Sequence, residues 1–530
     1  MRREEKYKSM TPTTKESQRA ELHKTIWRIA NDLRGSVDGW DFKSYVLGML
    51  FYRFISENLA AYINKGEHEA GATGFDYAQL PDAQAEFGRK ATVEEKGFYV
   101  LPSELFGNVR ARASKDQNLN ETLERVFKTI EGSAVGTESE DDLKGLFDDL
   151  DVNSSKLGNT VAKRNEKLVK LLDAIGDLPL GNFEDNSIDL FGDAYEYLMT
   201  MYASQAGKSG GEFFTPQEVS EVLARITVMG KERVNKVYDP ACGSGSLLLK
   251  FAKVLGPENV GGFYGQENNL TTYNLARINM FLHDVNYERF DIAHGDTLLE
   301  PQHWDDEPFE AIVSNPPYSI KWPGDANPLL INDERFAPAG VLAPKSKADL
   351  AFTMHILSWL AVNGTAAIVE FPGVLYRAGA EQRIRKYLID NNYVDTVIQL
   401  PPDLFFGTTI ATCIIVLKKS KTDNSVLFVN ASDEFKRVGN KNKLTTENQQ
   451  NILGAFADRE SVEHFSTIVP NEMIAANDYD IAVSSYVEEE DVREAIDITA
   501  LNAEIAQIVA RQAELRASLD AIVVDLEASR

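Results

Sequence analysis

Val234-Asn235-Lys236-Val237-Tyr238-Asp239-Pro240-Ala241-Cys242-Gly243-Ser244-Gly245-Ser246 reads as a strand, a tight glycine turn and the start of a helix. Glycines allow positive φ and let the backbone approach a ligand closely. Outward from this unit, strands alternate with helices between Asn235 and about Asn430. Strand candidates end at Asp239, Glu267, His294, Ser314, Phe371, Leu400, Leu417 and Val429. Helical patterns fill Ser246 to Val254, Thr271 to Leu282, Ala348 to Val362 and Glu381 to Asn391. This alternation predicts an α/β fold with a doubly wound, mostly parallel sheet, whose ligands sit at the carboxyl ends of the strands.

The third glycine of the dinucleotide fingerprint is replaced by Leu248, so no pyrophosphate cradle is indicated. Glu267 closes the next strand candidate about 24 residues beyond Gly243, where a carboxylate accepts ribose hydroxyls. A ribose with free hydroxyls and no diphosphate points to S-adenosylmethionine. Upstream, Thr215, Pro216 and Glu218 have the spacing of a capping box, so a helix is expected to open there, its N–H groups facing the cofactor's carboxylate. Asp296, after Gly295, is placed to reach the cofactor's adenine amine. Gly207-Lys208-Ser209 resembles the end of a phosphate loop, but Tyr202 stands where the first glycine is required.

Asn315-Pro316-Pro317-Tyr318 follows the apolar run Ala311-Ile312-Val313-Ser314. The asparagine brings a side-chain carbonyl, Pro316 a backbone carbonyl, and Tyr318 a flat face. Together they suit a planar exocyclic amine, most economically that of adenine. Accepting both N–H groups localises the nitrogen lone pair, and an in-line methyl transfer then depends mainly on positioning. The base would have to leave its duplex to reach this pocket.

The chain has 530 residues, enough for two or three folded units, with 43% hydrophobic and 26% charged residues. A formal charge of −26 argues against strong unaided DNA binding, since duplex affinity comes largely from Lys and Arg neutralising phosphates. A basic partner is therefore expected. Two cysteines, Cys242 and Cys413, and seven scattered histidines predict neither a disulfide framework nor a metal site. The Leu350 to Phe371 stretch is interrupted by His355, Asn363 and Gly364, so no membrane span is expected and the default is cytoplasmic.

Residues 1–170 read as a helical N-terminal domain, with Asp41 to Ile55 carrying apolar residues every three or four positions. Residues 171–485 hold the sheet, and 486–530 form a helical tail. There Ile498, Leu501, Ile505, Ile508, Gln512, Leu515, Leu519, Ile522 and Leu526 keep coiled-coil spacing, as expected of a helix that meets other helices, of another chain or of this one, with another chain favoured.

The combination resembles the amino-group DNA methyltransferases, and more closely the methylation subunit of type I restriction-modification systems, apparently of the IC type. The resemblance is carried by Ile26 to Ser36, Gly211 to Pro216, Asp239 to Gly245, Asn315 to Tyr318, Phe336 to Gly340, Lys345 to Asp349 and Leu404 to Thr409. It implies a Rossmann-like methyltransferase sheet. It implies acceptor roles for Asn315, Pro316, Pro317 and Tyr318, and cofactor roles for Glu212, Phe213, Phe214, Thr215, Pro216, Gln217, Ser244, Gly245, Ser246 and Glu267, beside Asp239, Gly243 and Asp296. It further implies N6-methylation of adenine in DNA, a separate specificity subunit, two copies of this chain, and a restriction subunit in the nuclease complex. Lys321, Arg377 and Arg383 are candidate phosphate contacts from their nearness to the motifs. The alternatives are a self-sufficient adenine methyltransferase, a glutamine-modifying protein methyltransferase and a catalytically silent assembly subunit.

Overall fold

The computed structural model describes residues 41–178, 215–405, 408–439, 441–488 and 498–528, with 23, 24, 26, 180, 194, 197 and 198 as isolated positions. The expectations resting on Glu212, Phe213 and Phe214, on most of Ile26 to Ser36, on Gly207 to Ser209 and on Phe406-Gly407 lie outside the described residues.

Contacts divide the chain into a unit ending at Val487 and a second one beginning at Glu488. In the first, α1 (Asp41–Glu69), α2 (Phe106–Ala113), α3 (Leu119–Gly132) and α4 (Val161–Gly176) form a helical layer. α3 buries Leu119, Leu123, Val126, Phe127 and Ile130, a stripe at helical spacing. This layer shares its core with the α/β part: the Phe51 and Phe98 rings stand 6.2 and 6.1 Å from that of Phe281. The buried Arg277 guanidinium reaches the carbonyls of Asp141, Asp142 and Lys144 at 2.8–3.2 Å, satisfying groups that would otherwise be orphaned at a helix end.

α5 (Gln217–Thr227) leads into β1 (Val234–Asp239), α6 (Ser246–Leu255), β2 (Val260–Glu267), α7 (Leu270–Leu282), β3 (Phe290–His294) and β4 (Phe309–Ser314). α8 (Asp349–Trp359), β5 (Leu360–Glu370), α9 (Ala380–Asp390), β6 (Val394–Gln399), β7 (Cys413–Lys418) and β8 (Ser425–Asn430) follow. After the β9–β10 hairpin (Lys436–Val438, Lys441–Lys443) come α10 (Thr446–Asp458) and β11 (Ser466–Pro470). The nine-stranded sheet has the order β11-β8-β6-β7-β5-β4-β1-β2-β3. Pairings from β3 across to β5 are parallel, as is β6 with β8; β7 runs antiparallel between β5 and β6, and β11 antiparallel to β8.

Period-two alternation explains why both faces are covered. Val237, Ala311, Val313, Ala367 and Val416 enter the core shared with the N-terminal helices. Tyr238, Ile312, Ala366, Ile368 and Ile415 enter a second core with α8 and α9. Strand order reverses between β1 and β4, which opens a crevice at their carboxyl ends.

The sequence-based strand ends agree with the structure to within one residue, whereas the helix expected over Ala348 to Val362 is wrong at its end. α8 stops at Trp359, and Leu360 already begins β5 with φ −69° and ψ 132°. Both halves of this stretch are buried on nearly all sides, so apolar periodicity carries no boundary signal. β11 was not among the expected strands.

The second unit contains α11 (Ile498–Ala528), exposed along its described length. Ile498, Leu501, Ile505, Ile508, Leu515, Leu519, Ile522 and Leu526 are all open to solvent there. No helix among the described residues is long and apolar enough to cross a membrane.

Candidate active site

The glycine turn is built by backbone geometry that only small residues tolerate. Gly243 has φ 54° and Gly245 has φ 74°, in the left-handed region. Gly245 is the N-cap of α6, and a Cβ there would stand 3.1 Å from Met280 Cε of α7. Three hydrogen bonds fasten the turn: Cys242 N to the Gln266 carbonyl at 3.1 Å, Gly245 N to the Cys242 carbonyl at 2.8 Å, and Asn279 Nδ2 to the Ser244 carbonyl at 2.9 Å. The Ser244 and Ser246 hydroxyls lie 3.0 Å apart. The Cys242 thiol packs against Gly265, where any Cβ would stand 2.9 Å from its sulfur.

Glu267 stands where β2 ends, its carboxylate accepting Gly243 N at 3.1 Å and Asn269 N at 2.8 Å. Burial raises its pKa, against the pull of those backbone donors. Asp296 follows β3, with Oδ1 accepting Leu298 N at 2.9 Å, and its neighbour Gly295 donates to the Glu267 carbonyl at 3.0 Å. Asp239, buried at the end of β1, accepts Ala241 N at 3.0 Å and the Ser314 hydroxyl at 2.9 Å. Burial holds its carboxyl up at about 7.

Ser314 ends β4, so this bond joins the glycine turn to the Asn-Pro-Pro-Tyr segment. Asn315 Nδ2 donates to Thr215 Oγ1 at 3.1 Å, and the Tyr318 hydroxyl donates to Asn315 Oδ1 at 2.5 Å. Burial pushes the Tyr318 phenol up, so it stays a neutral hydroxyl. Its ring leans on Phe371 at 5.3 Å and 50°. The chain leaves the motif through Ser319, held at φ 52° by a 3.0 Å bond from its N–H to buried Asp349 Oδ1. Behind lies Glu370, wholly buried, which accepts the Thr353 hydroxyl at 2.9 Å; burial raises its carboxyl well above the ordinary range.

The expected capping box at Thr215 does not form. α5 starts at Gln217, its N-cap is Pro216 with φ −52° and ψ 136°, and no side chain caps it. Because Pro216 is itself extended, the helical turn begins one residue later than expected, which leaves Thr215 one position before the cap with its hydroxyl accepting from Asn315 instead. Both polar atoms of the Gln217 side chain are buried without a partner among the described residues. Leaving a buried amide unpaired is costly.

The structure thus gathers Thr215, Pro216, Gln217, Asp239, Gly243 to Ser246, Glu267, Asp296 and Asn315 to Tyr318 at the carboxyl end of the sheet. Asp349 and Phe371 were missed as supports of Tyr318 and Ser319; only the positive φ at Ser319 reveals the first, and sequence does not show it. Of the candidate phosphate contacts, Arg377 pairs with Glu381 at 3.3 Å and its guanidinium covers Gly373. Lys321 and Arg383 are exposed. The spacing also hid a group in which Asp291, His303 and Asp306 come together. There His303 Nε2 faces the Gly265 carbonyl at 2.9 Å and Nδ1 faces Asp306 at 3.2 Å.

The family model described as N-6 DNA Methylase matches residues 186–495, and the HsdM N-terminal domain model matches residues 22–175. The chain is 48% identical over 528 residues to the type I restriction enzyme MpnII methylase subunit of Mycoplasma pneumoniae, covering 96% of this chain and 97% of that one. It is 29% identical to the MjaVII methylase subunit of Methanocaldococcus jannaschii, over 92% of this chain and 81% of that one. Among solved structures, the type I restriction-modification methyltransferase subunit of Streptococcus thermophilus superposes with a TM-score of 0.80 at 35% identity, covering 89% of this chain and 100% of that one.

Proposed function

The chain belongs to the N-6 DNA methylase family, among the methylase subunits of type I restriction enzymes, and from that premise we propose how its residues divide the work of methyl transfer. Its reaction is methylation of adenine N6 in DNA. We assign the acceptor pocket to Asn315, Pro316, Pro317 and Tyr318, and the cofactor pocket to the glycine turn, Glu267, Asp296 and the start of α5.

The observation that supports this assignment is the Ser314–Asp239 bond, which joins the ends of β4 and β1. S-adenosylmethionine, when bound, supplies a methyl group on a good sulfonium leaving group. The residues present suit it: Glu267 can accept ribose hydroxyls, and the Gln217 amide, unpaired among the described residues, stands at a helix start that favours a carboxylate. Asn315 Oδ1, already accepting from Tyr318, keeps a second lone pair for one N–H of the target amine. The Pro316 carbonyl takes the other. Tyr318 stacks on the base once it is out of the duplex, and Phe371 backs the Tyr318 ring.

We assign target choice to a separate specificity subunit, because a chain of net charge −26 is poorly suited to holding DNA alone. The exposed seam of α11 suits docking on a helical partner, in an assembly with a second copy of this chain and, for cleavage, a restriction subunit. Residues 1–170 would then clamp DNA or partner, 171–485 carry the chemistry and 486–530 make the subunit contact.

The test is to incubate the purified chain with labelled S-adenosylmethionine and mixed DNA, with and without the specificity subunit. Transfer only with the partner supports the reading; transfer by the chain alone contradicts the division of labour. Asn315→Ala should abolish transfer while cofactor still binds.

A further inference from the structure

We propose that Thr215 is a positioning residue that couples the two pockets: the carboxylate of a bound cofactor accepts a hydrogen bond from its hydroxyl and thereby locks the Asn315 amide with its oxygen toward the target amine. The proposal rests on the assignment of the two pockets above.

The argument begins with an ambiguity in the site. The Asn315 amide lies between two hydroxyls, Thr215 on the nitrogen side and Tyr318 on the oxygen side. A hydroxyl both donates and accepts, so the two contacts alone are satisfied equally well by the flipped amide. In that flipped state the NH2 group would face the target amine, donor against donor, and only the Pro316 carbonyl would be left to accept from the substrate. Something must break the symmetry.

Tyr318 does not do so, since its phenol can serve either orientation. Thr215 can. Its hydroxyl stands immediately before the start of α5, where backbone N–H groups favour an anion and where both polar atoms of the Gln217 side chain are buried without partners among the described residues. A carboxylate bound there accepts a hydrogen bond from the Thr215 hydroxyl, which leaves Thr215 Oγ1 only as an acceptor toward Asn315. The group facing it must then be Asn315 Nδ2, and Oδ1 is held on the Tyr318 side. Without that anion the hydroxyl proton is free to turn toward Asn315, and the flipped amide becomes populated. Cofactor occupancy is thus read out at the acceptor pocket, and by linkage a bound target amine tightens cofactor binding by the same factor.

The test uses the complete methyltransferase complex with its specificity subunit and duplexes carrying either adenine or purine, which lacks the amine, at the target position. Affinity for each duplex is measured alone, with S-adenosylhomocysteine, and with 5′-methylthioadenosine, which fills the nucleoside pocket but has no carboxylate. S-adenosylhomocysteine should tighten binding of the adenine duplex by at least about fivefold more than that of the purine duplex, and 5′-methylthioadenosine should not. At ligand concentrations that saturate each complex, Thr215→Val should lose this amine-dependent gain, and Thr215→Ser should keep it. Equal gains for the two duplexes, or an equal effect of 5′-methylthioadenosine, in the unmodified complex would overturn the proposal without any variant. Failure of the complex to bind S-adenosylhomocysteine at all would instead overturn the pocket assignment.

Discussion

The Ser314 hydroxyl donates to Asp239 Oδ1 across 2.9 Å, so the ends of β4 and β1 are joined by side chains as well as by the sheet ladder. Both residues are buried. Removing the donor by Ser314→Ala leaves that carboxyl oxygen with only the Ala241 N–H, and a buried polar group deprived of a partner costs about 1–3 kcal/mol. Urea unfolding should show a lower midpoint with an unchanged slope. An unchanged midpoint would mean that the bond contributes nothing net.

Asp239 also predicts a pH dependence. Its carboxyl is held up at about 7 by burial, and that of Asp142 rises to about 7 for the same reason, reinforced by the nearby Asp291 charge. The unfolded chain releases these protons near 4, so between about pH 4 and 7 the native state binds more protons than the unfolded one. Stability contributed by the two groups is therefore complete below about 4 and is lost as pH rises through 7. Asp239→Asn should flatten this part of the profile, measured as unfolding free energy from pH 5 to 8. A variant profile parallel to that of the unmodified chain would assign the slope to other groups.

The strand ends were legible because an apolar run there meets an abrupt polar residue, glycine or proline, as at Asp239, Ser314 and Leu400. The Thr215 cap and the end of α8 were not. At Thr215 a proline shifts the helix start by one residue, which turns a capping side chain into a partner of Asn315. At Trp359 helix and strand are both buried, so nothing in the apolar pattern changes where one becomes the other. Asp349 lies beyond the reach of such reading altogether, since its role depends on a backbone conformation at Ser319, thirty positions away.

Two glycines should respond with opposite sign. Gly245→Ala forces a Cβ into the left-handed region and against Met280, which costs about 1–2 kcal/mol and weakens cofactor binding. Gly454 lies inside α10, and nothing stands within 4 Å of its Cβ position. Gly454→Ala should therefore stabilise by about 0.5–1 kcal/mol. Thermal melting with a cofactor titration checks both; destabilisation by Gly454→Ala would contradict the open space seen there.

Arg335 anchors the segment between the acceptor motif and α8. It is 2% exposed, donates to the Thr297 and Leu298 carbonyls at 2.8 Å each, and pairs with Asp333 at 2.7 Å. Arg335→Leu strands two carbonyls and a carboxylate, and breaking a buried pair by removing one partner costs about 3–5 kcal/mol. Arg335→Lys should recover little, because one ammonium cannot span a fork-shaped set of three acceptors. If the lysine variant unfolds at the same urea concentration as the unmodified chain, the charge rather than the fork is what the segment needs.

Along α11 the apolar side chains at coiled-coil spacing are exposed, so their replacement removes no packing that the chain alone depends on. Leu515→Glu with Leu519→Glu puts two charges into that seam. If a partner helix covers it, those charges must be desolvated in the complex but stay hydrated in the free chain, and the penalty falls on association only. The paired variant should therefore melt like the unmodified chain and keep its cofactor affinity, yet sediment without the specificity subunit at concentrations where the unmodified chain forms the complex. Unchanged sedimentation would show that the seam is not the contact and would move the subunit interface to the first unit.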